Sequence, residues 1–341
     1  MAIFVTGGAG FIGSEFVRQW VRRYPSQLII NFDKLTYAGN LENLSSVENH
    51  PAYRMVRGDV AEPEDVRAAL PEDCDAIVHF AAESHVDRSI LSAAEFVRTN
   101  VLGTQVLLDA AREKRVRRFL YISTDEVGGS IPPGQYFRED SPLVPSSPYA
   151  ASKAAAEHLV RAAAHTFGLD AVITRTSNNY GPYQFPEKLI PLAIANIRRG
   201  KPVPVYGDGL QVRDWIHVSD NCRALMLVLE HGRPGATYHI GGGHELPNLE
   251  LLRLLLRIMD APPSLLTHVK DRLGHDRRYA VDWSRIRNEL GWTPEIALEE
   301  GLRSTVAWYD SHADWVERAT SGEYRTYYER VYGMQYAQRQ N

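Results

Sequence analysis

Residues 2–33 limit the possible folds more than any other part of the chain. An apolar run, AIFVTG, meets a glycine-studded turn; a helical stretch follows, and a second apolar run, LIINFD, ends on an acid. Gly7, Gly10 and Gly13 fall in GxxGxxG spacing between strand and helix. Glycine permits a tight turn and a close backbone approach, and the helix start beyond it offers free N–H groups and a positive dipole end. Asp33 lies 20 residues after Gly13, where a carboxylate accepts hydrogen bonds from an adenosine ribose. Together these residues predict a dinucleotide site. The acid favours NAD over NADP, because it repels a 2′-phosphate, while the adjacent Lys34 pulls the other way.

Strand and helix patterns alternate through the first half. Apolar runs at 2–7, 28–33, 76–81, 118–123 and 171–176 read as buried strands, with helical stretches at 13–24, 63–70, 92–114 and 149–167. This order predicts an α/β fold with a Rossmann-like, doubly wound parallel sheet and a smaller α/β substrate-binding domain. We expect an NAD-binding domain over 1–180 with a return segment near 215–242, where TYHIGG looks like a strand. A second domain is expected over 181–214 and 243–332, which includes the apolar helix LPNLELLRLLLRIM (246–259) and an aromatic-rich stretch at 308–332.

Composition narrows the class. A net charge of −4 with both signs interspersed gives no field for nucleic acid or a membrane surface. No apolar run is long enough to span a bilayer, and the N-terminus lacks a signal-peptide pattern. The two cysteines, Cys74 and Cys222, are far apart and read as reduced thiols, so a cytoplasmic protein is expected. His85 and His275 lack metal-ligand spacing, so no metal site is expected.

Two further motifs carry chemistry. In YAASK, Tyr149 and Lys153 stand four apart and share a helix face, where an ammonium favours a phenolate and so a general base. The same spacing also arises by chance on many helices. The chain has only six lysines among 38 basic residues, so lysine is the exception here. In RFLYISTDEVGGS, a strand delivers Thr124, Asp125 and Glu126 to its carboxyl end, where ligands gather in a doubly wound sheet. Two adjacent acids are otherwise the mark of a solvated loop.

With these residues in view, the chain resembles the extended short-chain dehydrogenase/reductase family and, within it, the dTDP-glucose 4,6-dehydratases. The resemblance rests on TGGAGFIGS, DKLTYAGN, AAESHVDRS, STDEV, SSPYAASK, SNNYGPYQFPEKLIP, RDW and GHDRRYAVD, and covers nearly the whole chain. It implies NAD-mediated oxidation at C4 of the sugar, elimination of water across C5 and C6, and reduction at C6. Tyr149 is implied as the base at the C4 hydroxyl, with Thr124 bonded to that hydroxyl and Lys153 lowering the phenol pKa and binding the nicotinamide ribose. Glu126 is implied as the base at C5 and Asp125 as the acid for the C6 hydroxyl. The resemblance also implies that Phe11, Ile12, Asp33, Lys34, Leu35, Thr36, Asp59, Val60, Ala81, Ala82, Thr99 and Asn179 line the cofactor site. Ser84, Asn178, Lys188, Leu189, Pro204, Tyr206, Arg213, Asn248, Arg272 and His275 are implied to face the nucleotide-sugar, with the two arginines on its diphosphate. Relatives form homodimers, and a homodimer is expected.

The chain departs from the family pattern at two places. Gly128 stands where the family has tyrosine, predicting a wider cleft or a looser loop, and Leu273 stands in place of a proline. Another nucleotide-sugar dehydratase or a 4-epimerase is the nearest alternative. A catalytically silent NAD-binding regulator is a third, but such a protein is expected to lose one of the four groups Tyr149, Lys153, Asp125 or Glu126.

Overall fold

The computed structural model describes residues 2–321. Seven strands form the central sheet: β1 (Ala2–Thr6), β2 (Leu28–Asp33), β3 (Tyr53–Arg57), β4 (Cys74–His79), β5 (Arg118–Thr124), β6 (Ala171–Thr176) and, after three short strands, β10 (Thr237–Ile240). The spatial order is β10-β6-β5-β4-β1-β2-β3, with every pairing parallel. The chain winds outward from β1 through β2 to β3 and then crosses to β4 on the other side of β1. A crevice therefore opens at the carboxyl ends of β1 and β4, the place where this topology binds ligands.

The expected strands appear within a residue or two, and TYHIGG does return to the sheet, as its edge strand beside β6. The inner strands are apolar throughout because helices cover both faces. On one face Phe16, Val17 and Trp20 of helix Phe11–Arg23 pack with Leu225 and Val228 of helix Val218–His231. On the other, Leu107 and Ala111 of helix Gly103–Glu113 meet Ala156 and Val160 of helix Pro148–Phe167.

Three details differ from the sequence expectation. The first helix starts at Phe11, not residue 13, so Gly13 lies inside its first turn. The stretch 92–114 is not one α-helix, because Val97–Leu102 widens into a π turn between Ala94–Phe96 and Gly103–Glu113. Strand β3 was not expected, since YRMVR is polar and only partly buried at the sheet edge.

The later part of the chain has its own core. Strands β7 (Asn178–Tyr180), β8 (Val203–Tyr206), β9 (Val212–His217), β11 (Glu245–Pro247) and β12 (Leu266–Val269) form two small sheets, β11-β9-β7 and β12-β8. Helix Asn248–Ile258 buries Leu251, Leu252, Leu255 and Leu256 along one stripe, against Ile194, Leu302 and Trp315. The aromatic stretch expected at 308–332 is described as far as residue 321, where Trp308, Tyr309 and Trp315 join this core; the remainder lies outside the described residues.

Candidate active site

The glycine turn is shaped by contacts that admit no side chain. Gly7 has φ +72°, and a Cβ there would sit 2.5 Å from the Ala81 nitrogen. At Gly13 a Cβ would collide with the Gly7 carbonyl and come within 2.8 Å of the Gly8 Cα. Gly10, the N-cap, has no side chain to cover the helix start, so the first N–H groups of Phe11–Arg23 remain open to the crevice. Gly8, which the spacing does not mark, is constrained as well, because any Cβ would strike the Asn31 amide.

Asp33 ends β2 facing the same turn. Its carboxylate accepts the amide of Ala9 at 2.9 Å and that of Leu35 at 2.8 Å. Burial raises its pKa, and the two backbone donors oppose that rise. Leu35 adopts φ +57° to make its bond. Lys34 is engaged elsewhere: its ammonium pairs with Asp59 at 2.9 Å, and Arg98 binds the same carboxylate at 2.7 Å. Both cations are thus paired with one carboxylate at the edge of the cleft.

A cleft of about 310 Å³ runs from this turn to the end of β5. Every residue expected at the cofactor lines it except Leu35, which contributes its backbone to Asp33. Thr124, Asp125, Glu126, Tyr149 and Lys153 line the same cleft, as do Ser84, Asn178 and Lys188. The strand-to-turn transition at 124 explains how three functional groups converge. Thr124 is the last residue of β5 and caps the 3₁₀ turn Asp125–Gly128, its Oγ accepting the Glu126 amide at 3.3 Å. The same hydroxyl donates to Asp125 Oδ1 at 3.3 Å.

Burial dominates the electrostatics of Asp125. Burial, then the neighbouring Glu126, push the Asp125 carboxyl far above the ordinary carboxylate range, with Arg213 opposing. That shift favours the protonated acid, the form able to donate a proton. Asp125 Oδ2 and Glu126 Oε2 are both buried without a hydrogen-bond partner in the protein. Unpaired carboxyl oxygens are costly in a core, and these two belong to residues that line a cleft.

Tyr149 and Lys153 share one face of helix Pro148–Phe167, whose start is set by the Ser147 cap and Pro148 and whose end is Gly168 at φ +69°. Burial brings the Lys153 pKa down to about 7. Its Nζ donates to the Ile122 carbonyl at 2.6 Å and lies 4.2 Å from the Tyr121 ring centroid. The phenol does not show the depressed pKa that the sequence suggested. Burial and then the Glu126 carboxylate raise it, with Thr124 opposing and Asp125 adding to the rise. The protein alone therefore keeps Tyr149 protonated.

Seven expected substrate residues lie beyond the lining of this cleft: Leu189, Pro204, Tyr206, Arg213, Asn248, Arg272 and His275. Most are linked to it. Arg213 and Arg272 both act electrostatically on Glu126. Arg213 lies over the Tyr279 ring at 4.1 Å, and Arg272 approaches Asp87 at 3.7 Å. Tyr206 donates to Asp87 at 3.0 Å, and the His275 ring meets Tyr206 edge-on at 6.1 Å. Asn248 keeps a buried Oδ1 without a partner. Pro204 belongs to β8 beside Tyr206, and Leu189 opens helix Leu189–Arg198.

Sequence reasoning missed Glu187, Tyr37 and Asp87. Glu187 lines the cleft beside Lys188; burial pushes its carboxyl up to about 7, and Tyr37 donates to it at 3.2 Å. Both Glu187 and Asp87 lie inside quoted motifs, QFPEKLIP and AAESHVDRS, so the signal was an acid next to residues already singled out. His85 approaches Glu187 at 3.8 Å, and no group of potential metal ligands gathers among the described residues.

Comparison with known proteins agrees with this architecture. The sequence profile described as GDP-mannose 4,6 dehydratase matches residues 4–305. A dTDP-glucose 4,6-dehydratase of Streptomyces niveus is 54% identical over 331 residues, covering 96% of this chain and 98% of the relative. One from Neisseria meningitidis serogroup B is 48% identical, covering 95% and 97%. A crystal structure of a dTDP-glucose 4,6-dehydratase from Streptomyces venezuelae with NAD and TYD bound superimposes with a TM-score of 0.91 at 51% identity, covering 94% of this chain and all of that one. A UDP-glucose 4-epimerase from Thermus thermophilus in complex with NAD is more distant, with TM-score 0.85 and 30% identity over 92% of this chain and all of that one. The profile match and the extent of these identities leave one conclusion: the chain belongs to the GDP-mannose 4,6 dehydratase family, within the NAD-dependent epimerase/dehydratase group of extended short-chain dehydrogenases.

Proposed function

We propose that the protein is an NAD-dependent hydro-lyase that converts dTDP-glucose to dTDP-4-keto-6-deoxyglucose and water. The observation that carries this reading is the adjacent Asp125 and Glu126 in one cleft with Thr124 and Tyr149, the first buried so that its protonated form is favoured. Curated relatives about half identical over nearly the full chain act as dTDP-glucose 4,6-dehydratases, and a solved one holds NAD.

The glycine turn, the open helix start and Asp33 fit a dinucleotide, with Gly7 and Gly13 letting the backbone close up and Asp33 facing the ribose. When bound there, NAD would supply a two-electron acceptor for C4 and donor for C6. Tyr149 takes the C4 hydroxyl proton while Thr124 Oγ holds that hydroxyl. Lys153, one helical turn on, adds positive charge against the high pKa that burial gives the phenol. The C4 ketone acidifies C5–H, and Glu126 removes that proton. Asp125 gives its proton to the C6 oxygen, which leaves as water. C5 is then reprotonated as C6 is reduced, and no cofactor is consumed. Arg213 and Arg272 supply guanidinium forks suited to the diphosphate.

On this reading residues 1–180 and the segment near 215–242 bind the cofactor, while 181–214 and 243–332 bind the nucleotide-sugar. Association as a homodimer is supported by Leu91, Val97 and Leu102, which are exposed on the consecutive helical segments from Val86 to Glu113. Residence in the cytoplasm is supported by two buried, unpaired cysteines. No helix among the described residues is long and apolar enough to cross a membrane. Incubation of the NAD-loaded protein with dTDP-glucose and, separately, UDP-glucose, with products identified by mass, tests the reaction and the base preference. A 4-keto-6-deoxy sugar from dTDP-glucose is expected. A 4-epimer, or tight NAD binding without turnover, would favour the alternatives.

A further inference from the structure

The turn that carries the two acids is boxed in by Phe137, from the segment that follows it in the chain. Gly128 closes the Asp125–Gly128 turn, and a Cβ there would lie 2.9 Å from Phe137 Cε2 and 3.0 Å from two further ring atoms. The space beside Gly128 is therefore neither an open cleft nor a loose loop, the two outcomes its sequence suggested. The Phe137 ring occupies it. On another side, the Val127 carbonyl accepts the Val144 amide at 3.0 Å, and Gly129, at φ +75°, lies against the Val144 carbonyl. What remains behind Asp125 is a void of about 10 Å³ lined by Gly128, Phe137, Arg175, His239 and Val281 among others, enough for at most one water.

Phe137 is itself held by backbone. Its amide donates to the Ala280 carbonyl at 2.9 Å, and its carbonyl accepts the Asp282 amide at 2.8 Å. The neighbouring segment carries Tyr279, under Arg213, and Asp276, whose carbonyl accepts from Arg213 at 3.0 Å. One stretch of chain thus fixes both the ring behind the acids and the arginine beside them.

We infer that Phe137 is a positioning residue for the elimination step, a wedge that holds the Asp125–Gly128 turn and keeps water from the back of Asp125. The inference rests on the dehydratase reading above. It follows that losing the ring slows elimination while leaving oxidation at C4 intact. Burial is the largest cause of the high Asp125 pKa, so admitting water also lowers the pH at which the acid ionises.

The test compares Phe137→Ala, Phe137→Leu, Gly128→Ala and the Gly128→Ala/Phe137→Ala pair in the full chain with NAD and dTDP-glucose. Three readouts are taken: product formation, steady-state reduced cofactor by near-ultraviolet absorbance, and the alkaline limb of the pH profile, with thermal unfolding as a check on folding. We expect Phe137→Ala to slow product formation about 10- to 100-fold, with reduced cofactor accumulating and the alkaline limb moving to lower pH. Phe137→Leu retains more activity. Gly128→Ala alone drives the ring away and slows elimination, and in the pair its effect largely disappears, because the collision is gone. If Phe137→Ala fails to fold, Phe137→Leu and Gly128→Ala carry the same readouts. A parent that dehydrates dTDP-glucose and variants that match it in cofactor level and alkaline limb would overturn the role of Phe137. Equal slowing of both half-reactions with no shift of the limb would also overturn it. A parent that makes no keto sugar overturns the dehydratase reading and this inference together.

Discussion

Replacing Asp125 with asparagine separates the two acids from each other and from the fold. Asparagine matches the shape of a carboxyl whose neutral form burial favours, but on the proposed reading its amide cannot hand a proton to the departing C6 oxygen. Removing a positioned general acid costs about 10²- to 10⁴-fold, equivalent to about 2.7–5.4 kcal/mol of barrier at 1.36 kcal/mol per tenfold. On the proposed reading the loss falls on elimination alone, because Tyr149 and Thr124 would serve the oxidation at C4. Asp125→Asn is therefore expected to oxidise dTDP-glucose and to stop there, with 4-keto-glucose nucleotide found by mass after quenching. Stability gives a second readout of opposite sign. The folded-state pKa of Asp125 is raised, so the unfolded chain releases this proton first and stability is lost as pH climbs from the unfolded value toward the folded one. Asparagine removes that loss, and Oδ2 has no protein partner to forfeit. The variant should unfold at a higher temperature than the parent at pH 7, and the gain should vanish on acidification below about pH 4. Undiminished elimination by Asp125→Asn, or a stability cost at pH 7 that disappears in acid, would refute the assignment of a buried, protonated acid.

Other consequences are as concrete. Lys153 titrates near 7 in the fold and about 10.4 when unfolded, so its burial penalty is complete below pH 7 and gone above the unfolded value. In the cofactor-free protein, Lys153→Met should stabilise relative to the parent more at pH 6 than at pH 10.5, measured by urea unfolding, while turnover falls steeply. Gly13→Ala sets a methyl against the Gly7 carbonyl, and about 1–3 kcal/mol of overpacking should appear as a lower Tm together with weakened NAD binding by calorimetry. Trp315→Phe removes the indole donor that meets Asn43 Oδ1 at 3.1 Å, beside the bond from Asn43 to the Ala9 carbonyl. A loss of about 1 kcal/mol in denaturant unfolding is expected, with the substrate KM unchanged.

Where the chemistry is local, the sequence was readable. A strand, a glycine turn and a helix within 33 residues leave little freedom, and Tyr149 with Lys153 needs only a helix to share a face. Thr124, Asp125 and Glu126 were locatable because a parallel strand must deliver its end to the crevice. Long-range features were not readable. Strand β3 pairs on one side only, so its burial pattern lacks the apolar run that marks its neighbours. The raised pKa of Asp125 depends on burial in the cleft, and that of Tyr149 on burial and then on Glu126, 23 positions upstream. Phe137 follows Gly128 by nine positions, but its backbone is held by Ala280 and Asp282, a pairing across more than 140 residues that no local pattern announces.

The central claim is that one site oxidises C4, eliminates across C5 and C6, and reduces C6 without releasing the cofactor. Incubating the NAD-loaded protein with dTDP-glucose deuterated at C4 tests it most directly. The expected product is dTDP-4-keto-6-deoxyglucose with the deuterium carried to C6. Deuterium still at C4 of an epimer, or a keto sugar with the label lost from C6, would contradict it.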